Sequence, residues 1–253
     1  MDKTAVLDQL VQMSLNLGKP ENEFAILGEG NTSARISEDT FYVKQSGAYL
    51  SNSTRESFVE VRLEPILAML DEEKLTDEDI KTRLMAARTD SFSASRPSIE
   101  TVFHAFMLTL PGVNFVGHTH PIAVNSILCS KKAEEMFSGR VFPDEIVYCG
   151  VEPIFLEYVD PGPGLAQAIR CAGLGYVDRQ GISPKVIVVR NHGLIALGAN
   201  AHEVEAITAM FVKTCRVLAG TCQFGGPRYL TKQNVDRIYT RPDEAYRMRQ
   251  FKE

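Results

Sequence analysis

Two histidines two residues apart, His118 and His120, lie in Gly117-His118-Thr119-His120-Pro121, directly after the apolar run Val113 to Val116. Such a run reads as a strand, in which alternate residues point to one face, so the two imidazoles stand side by side and could grip one metal ion. A second apolar run, Val186 to Val189, ends in Arg190-Asn191-His192-Gly193 and supplies a third ligand, His192. Three neutral imidazoles around an open position make a catalytic zinc site rather than a closed structural one. Neutral imidazole also suits cobalt and manganese, so the residue types point to a divalent ion without choosing among the three.

An isolated histidine is more often an ordinary hydrogen-bonded residue than a ligand. Here three of the five sit where apolar runs end beside Gly or Pro, and strand ends are where sites in α/β proteins gather. Cupins also carry His-x-His, and Gly112 falls at the cupin spacing. The Glu they need soon after the pair is missing, because that stretch reads Ile122-Ala123-Val124-Asn125-Ser126-Ile127-Leu128. The helical His pair with an intervening Glu of zinc proteases is absent as well. His202, beside Glu203 in the first turn of a late helix, reads as a surface residue.

Glu100 precedes His118 by 18 residues and opens a helix that leads through Pro111-Gly112 into the strand of the His pair. Brought near a metal, a partly desolvated carboxylate is suited to removing a proton from a carbon next to a carbonyl. The alternative is an acid that merely favours a helix N-terminus, worth a few tenths to about 1 kcal/mol. Spacing leaves both open. His104 stands one helical turn after Glu100 on the same face, where it could orient the carboxylate. Three polar features could converge on an anion: the turn Gly28-Glu29-Gly30-Asn31-Thr32-Ser33, the turn Lys44-Gln45-Ser46-Gly47, and Ser98 at a helix start. Asp160-Pro161-Gly162-Pro163-Gly164 resembles a phosphate loop in glycine content alone and reads as a plain turn.

These residues need a scaffold. Val6, Leu7, Leu10, Val11 and Leu15 recur at helical spacing and predict an opening helix that ends near Gly18. Glu23 to Leu27, Ser33 to Ser37 and Thr40 to Lys44 read as a meander of antiparallel strands, with Phe58 to Leu63 as a further strand. Leu63 to Leu70 and Asp77 to Ala87 read as helices, the second capped by Thr76 with Asp79 three residues on. Pro97-Ser98-Ile99-Glu100 opens a helix with Val102, Phe103, Phe106, Met107 and Leu110 on its core face. Pro121 to Leu128 reads as helix, Ile146 to Tyr148 and Pro153 to Leu156 as strands, and Leu165 to Ala172 as helix. Asn200, with Glu203 three residues on, starts the helix Ala201 to Leu218, which Gly220 is expected to stop. The polar stretch from Thr231 to Phe251 reads as one more helix. The fold class is therefore α/β: a single domain over 1–253 with a core at about 3–220, built on a central, mostly antiparallel mixed sheet covered by helices on both faces.

A hydrophobic content of 44% and a net charge of -5 suit a globular enzyme and argue against a nucleic-acid surface. No apolar run approaches a membrane span, and the N-terminal stretch lacks a signal-peptide core. The five cysteines, Cys129, Cys149, Cys171, Cys215 and Cys222, contain no Cys-x-x-Cys pair and read as reduced, mostly buried thiols of a cytoplasmic protein.

In order along the chain, Gly30-Asn31-Thr32-Ser33, Ser46-Gly47, Pro97-Ser98-Ile99-Glu100, His118-Thr119-His120-Pro121 and Asn191-His192-Gly193-Leu194-Ile195 resemble the class II aldolase/adducin family. That family holds fuculose- and rhamnulose-phosphate aldolases, ribulose-phosphate epimerases, methylthioribulose-phosphate dehydratases and the adducin head. The resemblance implies that His118, His120 and His192 are zinc ligands and that Glu100 is the acid-base carboxylate. It implies that Gly30, Asn31, Ser46, Gly47 and Ser98 hold a substrate phosphate, and that the chain forms a homotetramer with sites near subunit interfaces.

Two departures matter. Ile99 stands where the family often has a second serine, which removes a hydroxyl donor that Lys44 could replace. No tyrosine occupies the stretch Phe142-Pro143-Asp144-Glu145, where the fuculose-phosphate enzymes use one as a proton donor, while Tyr148 and Tyr158 lie further on. The pattern Arg96-Pro97-Ser98-Ile99-Glu100 with Phe142-Pro143-Asp144-Glu145 looks closer to the aldolase half of bacterial rhamnulose-phosphate aldolase/alcohol dehydrogenase fusions, a resemblance that implies Asp144 as a second acid-base candidate. The expected activity is a zinc-dependent carbon-carbon lyase acting on a ketose phosphate or related hydroxy-keto compound through a metal-stabilised enediolate. The alternatives are epimerase or dehydratase chemistry on the same scaffold, or a non-catalytic adducin-like binding protein. The expected partner is a small molecule, with no nucleic acid and no membrane.

Overall fold

The computed structural model describes residues 2–72, 75–92 and 94–243. Its strands are β1 (Asn31–Arg35), β2 (Thr40–Lys44), β3 (Phe58–Arg62), β4 (Phe115–Thr119), β5 (Ile154–Leu156), β6 (Val186–Val189) and β7 (Gly193–Gly198). They form one sheet in the order β3-β2-β1-β4-β7-β6-β5. The β5–β6 pair is parallel and the other neighbours are antiparallel, which gives the mixed, mostly antiparallel sheet that the alternating pattern predicts.

The helices are α1 (Lys3–Leu17), α2 (Leu63–Leu67), α3 (Asp77–Ala86), α4 (Thr101–Met107), α5 (Ile122–Leu128), α6 (Ala133–Met136), α7 (Pro143–Cys149), α8 (Pro163–Gln180), α9 (Ala201–Thr221) and α10 (Lys232–Thr240). Strand parity divides the core in two. On β6, Val186 and Val188 join Leu10 of α1, Val124 of α5 and Phe211 of α9, whereas Ile187 and Val189 join Ile66 of α2, Ile80 of α3, Phe103 of α4 and Ile169 of α8. Each such side chain contributes about 1.5–3 kcal/mol on full burial, so both helix layers are firmly seated. Among the described residues no helix is long and apolar enough to cross a membrane.

The same parity places polar groups. Val116 of β4 belongs to the α4 side of the sheet, so His118 does too, and β1 sets Asn31 opposite His118 and Ser33 opposite Val116. Asn31, Ser33 and His118 therefore all face α4.

Several expectations need correction. Glu23 to Leu27 is irregular rather than a strand. Glu23 and Leu27 take left-handed conformations, and the carbonyls of Glu23 and Phe24 receive the N–H groups of Ile122 and His120. Ile146 to Tyr148 is not a strand but part of α7: Pro143 opens that helix, Asp144 and Glu145 occupy its first turn, and Gly150 ends it. The predicted strand Ser33 to Ser37 lies two residues earlier, as β1. The strand β7 follows His192 without having been anticipated. Helix α8 runs on to Gln180 through Gly173 and Gly175, and α9 runs past Gly220 to Thr221. Helix α4 ends at Met107, short of Leu110, and the second half of Leu63 to Leu70 is a 3-10 turn. The final predicted helix is seen as α10, and residues 244–251 of it lie outside the described residues. Three of the five cysteines, Cys129, Cys171 and Cys222, are exposed, which corrects the expectation of mostly buried thiols.

Candidate metal centre

His118 lies within β4 and is fully buried, while His120 follows one residue past its end. His192 comes from the short connection between β6 and β7, where Asn191 adopts a left-handed conformation and His192 N–H donates to the Val189 carbonyl at 3.1 Å. Asn tolerates that conformation better than most residues. The antiparallel β4–β7 pair then sets Leu194 opposite Thr119, which brings His192 level with the His pair.

The three Nε2 atoms converge. Nε2 of His118 is 2.9 Å from that of His120 and 3.2 Å from that of His192. The Leu194 carbonyl, 3.0 Å from Nδ1 of His118, takes that ring's proton, so the His118 Nε2 facing the cluster is a bare lone pair. Burial lowers the pKa of both His118 and His120, the latter to about 3, and crowding by neighbouring imidazoles adds to the effect. Neutral rings with converging lone pairs are what a divalent ion needs. The edges of a tetrahedron around an ion at about 2.0–2.1 Å are about 3.3 Å long, close to the observed separations. The residues present fit the ion.

Glu100 is 8% exposed and sits immediately before α4, with Oε1 3.2 Å from His192 Nε2 and Oε2 3.5 Å from His118 Nε2. Burial pushes its carboxyl up, but His118, His192 and the Asn31 amide outweigh that and hold it below the usual carboxylate range. Asn31 donates from Nδ2 to Glu100 Oε2 at 2.6 Å and to Ser98 Oγ at 3.3 Å. Ser98 Oγ also receives the Glu100 N–H at 3.3 Å, so Ser98, Asn31 and Glu100 form one unit. His104 meets Glu100 through Asn31, because its ring lies between Ser33 Oγ and Asn31 Oδ1. Burial pushes the His104 pKa down to about 3, so it is neutral.

The two turns expected to hold an anion flank this unit. Gly30 packs against the His pair strand with φ +67°, and a Cβ there would come within 2.4 Å of the His118 carbonyl oxygen. The Lys44 to Gly47 turn is tied to the Pro97 segment by a bridge between Gln45 and Pro97 and by the Ser46 N–H donating to the Arg96 carbonyl at 2.8 Å. Lys44 donates to the Ala48 carbonyl at 2.5 Å; burial lowers its pKa to about 8, against the pull of Glu100. Ile99 points elsewhere, toward Gly162, where a Cβ would lie 3.6 Å from Ile99 Cδ1.

Asp144 stands in the first turn of α7, which packs against α9 and α10. Tyr158 donates to Asp160 at 2.8 Å on the exposed loop.

Two residues of the centre escaped sequence reasoning. A Cβ at Gly193 would lie 2.6 Å from the Thr119 carbonyl oxygen and 2.7 Å from a His120 ring carbon, so the glycine is what lets β7 close on the imidazoles. Its presence in Asn191-His192-Gly193 was visible, its reason was not. Asn125 of α5 donates to the His192 carbonyl at 3.1 Å and so braces the third ligand from outside. Only the fold brings it there.

Comparison with known proteins follows the same lines. Residues 8–219 match the family model "Class II Aldolase and Adducin N-terminal domain". The N-terminal class II aldolase domain of a conserved protein from Thermoplasma acidophilum is 27% identical, with a TM-score of 0.67 over 87% of this chain and 95% of that one. An L-fuculose 1-phosphate aldolase shares the fold at 14% identity, with a TM-score of 0.70 over 94% of this chain and 96% of its own. An uncharacterized oxidoreductase of Bacillus subtilis, YuxG, is 28% identical across 88% of this chain, and the match spans 32% of that protein's length.

Proposed function

The chain belongs to the class II aldolase and adducin N-terminal domain family, and on that premise we propose that it is a divalent-metal-dependent lyase. Its reaction is the reversible cleavage of a ketose phosphate, or a related hydroxy-keto compound, into a ketone and an aldehyde. The observation that carries this reading is the convergence of three imidazole Nε2 atoms beside a buried carboxylate.

A divalent ion held by His118, His120 and His192, zinc first among the candidates, would supply the positive charge that offsets negative charge developing on the substrate oxygens. In the cleavage direction Glu100 delivers the proton to the carbon nucleophile, and in the condensation direction it removes that proton. Gly30, Ser46, Gly47 and Ser98, with Asn31 beside them, border the space for the anionic end of the substrate, and Lys44 adds a nearby cation. Lys44 thereby stands in for the hydroxyl that Ile99 lacks. Asp144 is the proposed second acid-base group. The chain is proposed to assemble as a homotetramer with its sites near subunit interfaces. We further propose that the chain acts in the cytoplasm as one domain, 1–253. Because the donor set is complete, catalysis is favoured over a purely binding, adducin-like role.

A panel of ketose phosphates incubated with the zinc-loaded protein tests this reading through aldehyde release coupled to a reductase. Release that requires the metal and falls about 10²–10⁴-fold in Glu100→Gln is the expected result. Metal-loaded protein that instead yields epimers or dehydrated products would replace the lyase reading with the corresponding one on the same scaffold.

A further inference from the structure

The polar chain behind Glu100 has one consistent set of protons while Glu100 is a carboxylate. Glu100 Oε2 accepts from Asn31 Nδ2 at 2.6 Å, so the amide presents Oδ1 to the other side, where it meets Nε2 of His104. Two acceptors cannot bond, so His104 must carry its proton on Nε2. Its Nδ1 is then bare and accepts from the Ser33 hydroxyl at 2.7 Å. Ser33 and His104 are fully buried and Asn31 is 4% exposed, so water does not compete for these groups. In such surroundings an unmatched donor or acceptor costs about 1–3 kcal/mol, which makes the alternative tautomer or a flipped amide unfavourable.

We propose that His104 is a positioning residue that acts through Asn31: it fixes the amide orientation, and the amide holds Glu100 by Oε2 so that Oε1, free of the amide, is turned toward His192. The side chain of Asn31 is thus committed to the carboxylate on one side and the imidazole on the other. A substrate anion near Asn31 is left to Ser98, Lys44 and the glycine turns. This assignment rests on Glu100 serving as the base in the proposed reaction.

The pair His104→Gln and His104→Leu tests it, because the glutamine amide can replace the Nε2–H donor and leucine cannot. The activity readout is metal-dependent exchange of the carbon-bound proton of dihydroxyacetone phosphate in D2O, followed by NMR. His104→Leu is expected to lower kcat about 10- to 100-fold with KM and metal content held, while His104→Gln keeps most of the rate. A second readout needs no substrate: in protein labelled with 15N-histidine, His104 is expected as the neutral Nε2–H tautomer. The Nδ1–H tautomer or an imidazolium would overturn the proposal, as would equal rates in the two variants. Wild-type protein that exchanges no proton would count against the lyase reading alone, and the tautomer would still decide the network.

Discussion

Among the described residues three carboxylates are buried, Glu100, Glu145 and Glu203, and the surroundings of the first two differ in one respect that separates structure from function. Glu145 is 1% exposed and faces Arg140, with Nη1 2.8 Å from Oε1. Arg140 also donates to the carbonyls of Gly150 and Cys149, and the second Glu145 oxygen takes the Val141 N–H at 2.8 Å. Charge and hydrogen bonds close there without help, and the pair fastens both ends of α7. Glu100 is nearly as buried but faces three histidines, of which His118 and His120 are kept from protonation by burial and by neighbouring imidazoles. Its cluster of ring nitrogens beside a carboxylate calls for a metal cation in addition to the Lys44 ammonium nearby. A balanced buried pair stabilises a fold, whereas an unbalanced cluster is the mark of a site.

Substitutions at the two acids should pull apart. Glu100→Gln should reduce turnover about 10²–10⁴-fold. In chelator the variant should still fold, because the isosteric glutamine amide can keep the Asn31 contact. Glu145→Ala should do the reverse and destabilise by about 3–5 kcal/mol in denaturant titration, since Arg140 is left buried alone. Its metal content per folded chain should stay that of wild type. Metal-free Glu100→Gln protein that fails to fold would mean that the Glu100 cluster, like the Arg140–Glu145 pair, holds the structure together.

Smaller effects sharpen the contrast. Asn125→Ala should weaken zinc affinity about 10- to 100-fold in a competition titration, because the His192 carbonyl loses its brace. Lys44 gives a signal that depends on pH. Its folded pKa, about 8, lies below its ordinary value of 10.5, so the unfolded chain binds more protons between those limits. The Lys44 contribution to stability is therefore complete above pH 10.5 and is lost as pH falls through 8. Relative to Lys44→Met, wild type should gain at most about 1.4 kcal/mol per pH unit across that window in pH-dependent denaturant melts. A flat difference would mean that Lys44 is charged at no cost.

How much of this was legible in the sequence follows from which interactions are local. The His118 and His120 pair, the Thr76–Asp79 capping box and the α1 stripe depend on residues within a few positions, and each is where the spacing puts it. Glu23 to Leu27 and Ile146 to Tyr148 are short apolar runs whose state is set from outside. The first is held open by the backbone of His120 and Ile122, and the second is wound into a helix by Pro143 and the Arg140–Glu145 pair. The roles of Asn125 and Gly193, and the link from His104 to Glu100 through Asn31, are contacts between distant segments. Nothing in local periodicity encodes them.

Metal content measured by mass spectrometry on chelator-free wild type and His120→Ala, purified side by side, tests the unbalanced cluster most directly. About one divalent ion per wild-type chain, zinc first, is expected, with its loss from the variant and the melting temperature in chelator preserved. Metal-free protein in both preparations, with zinc added back failing to bind, would contradict it and make the three histidines part of a binding scaffold.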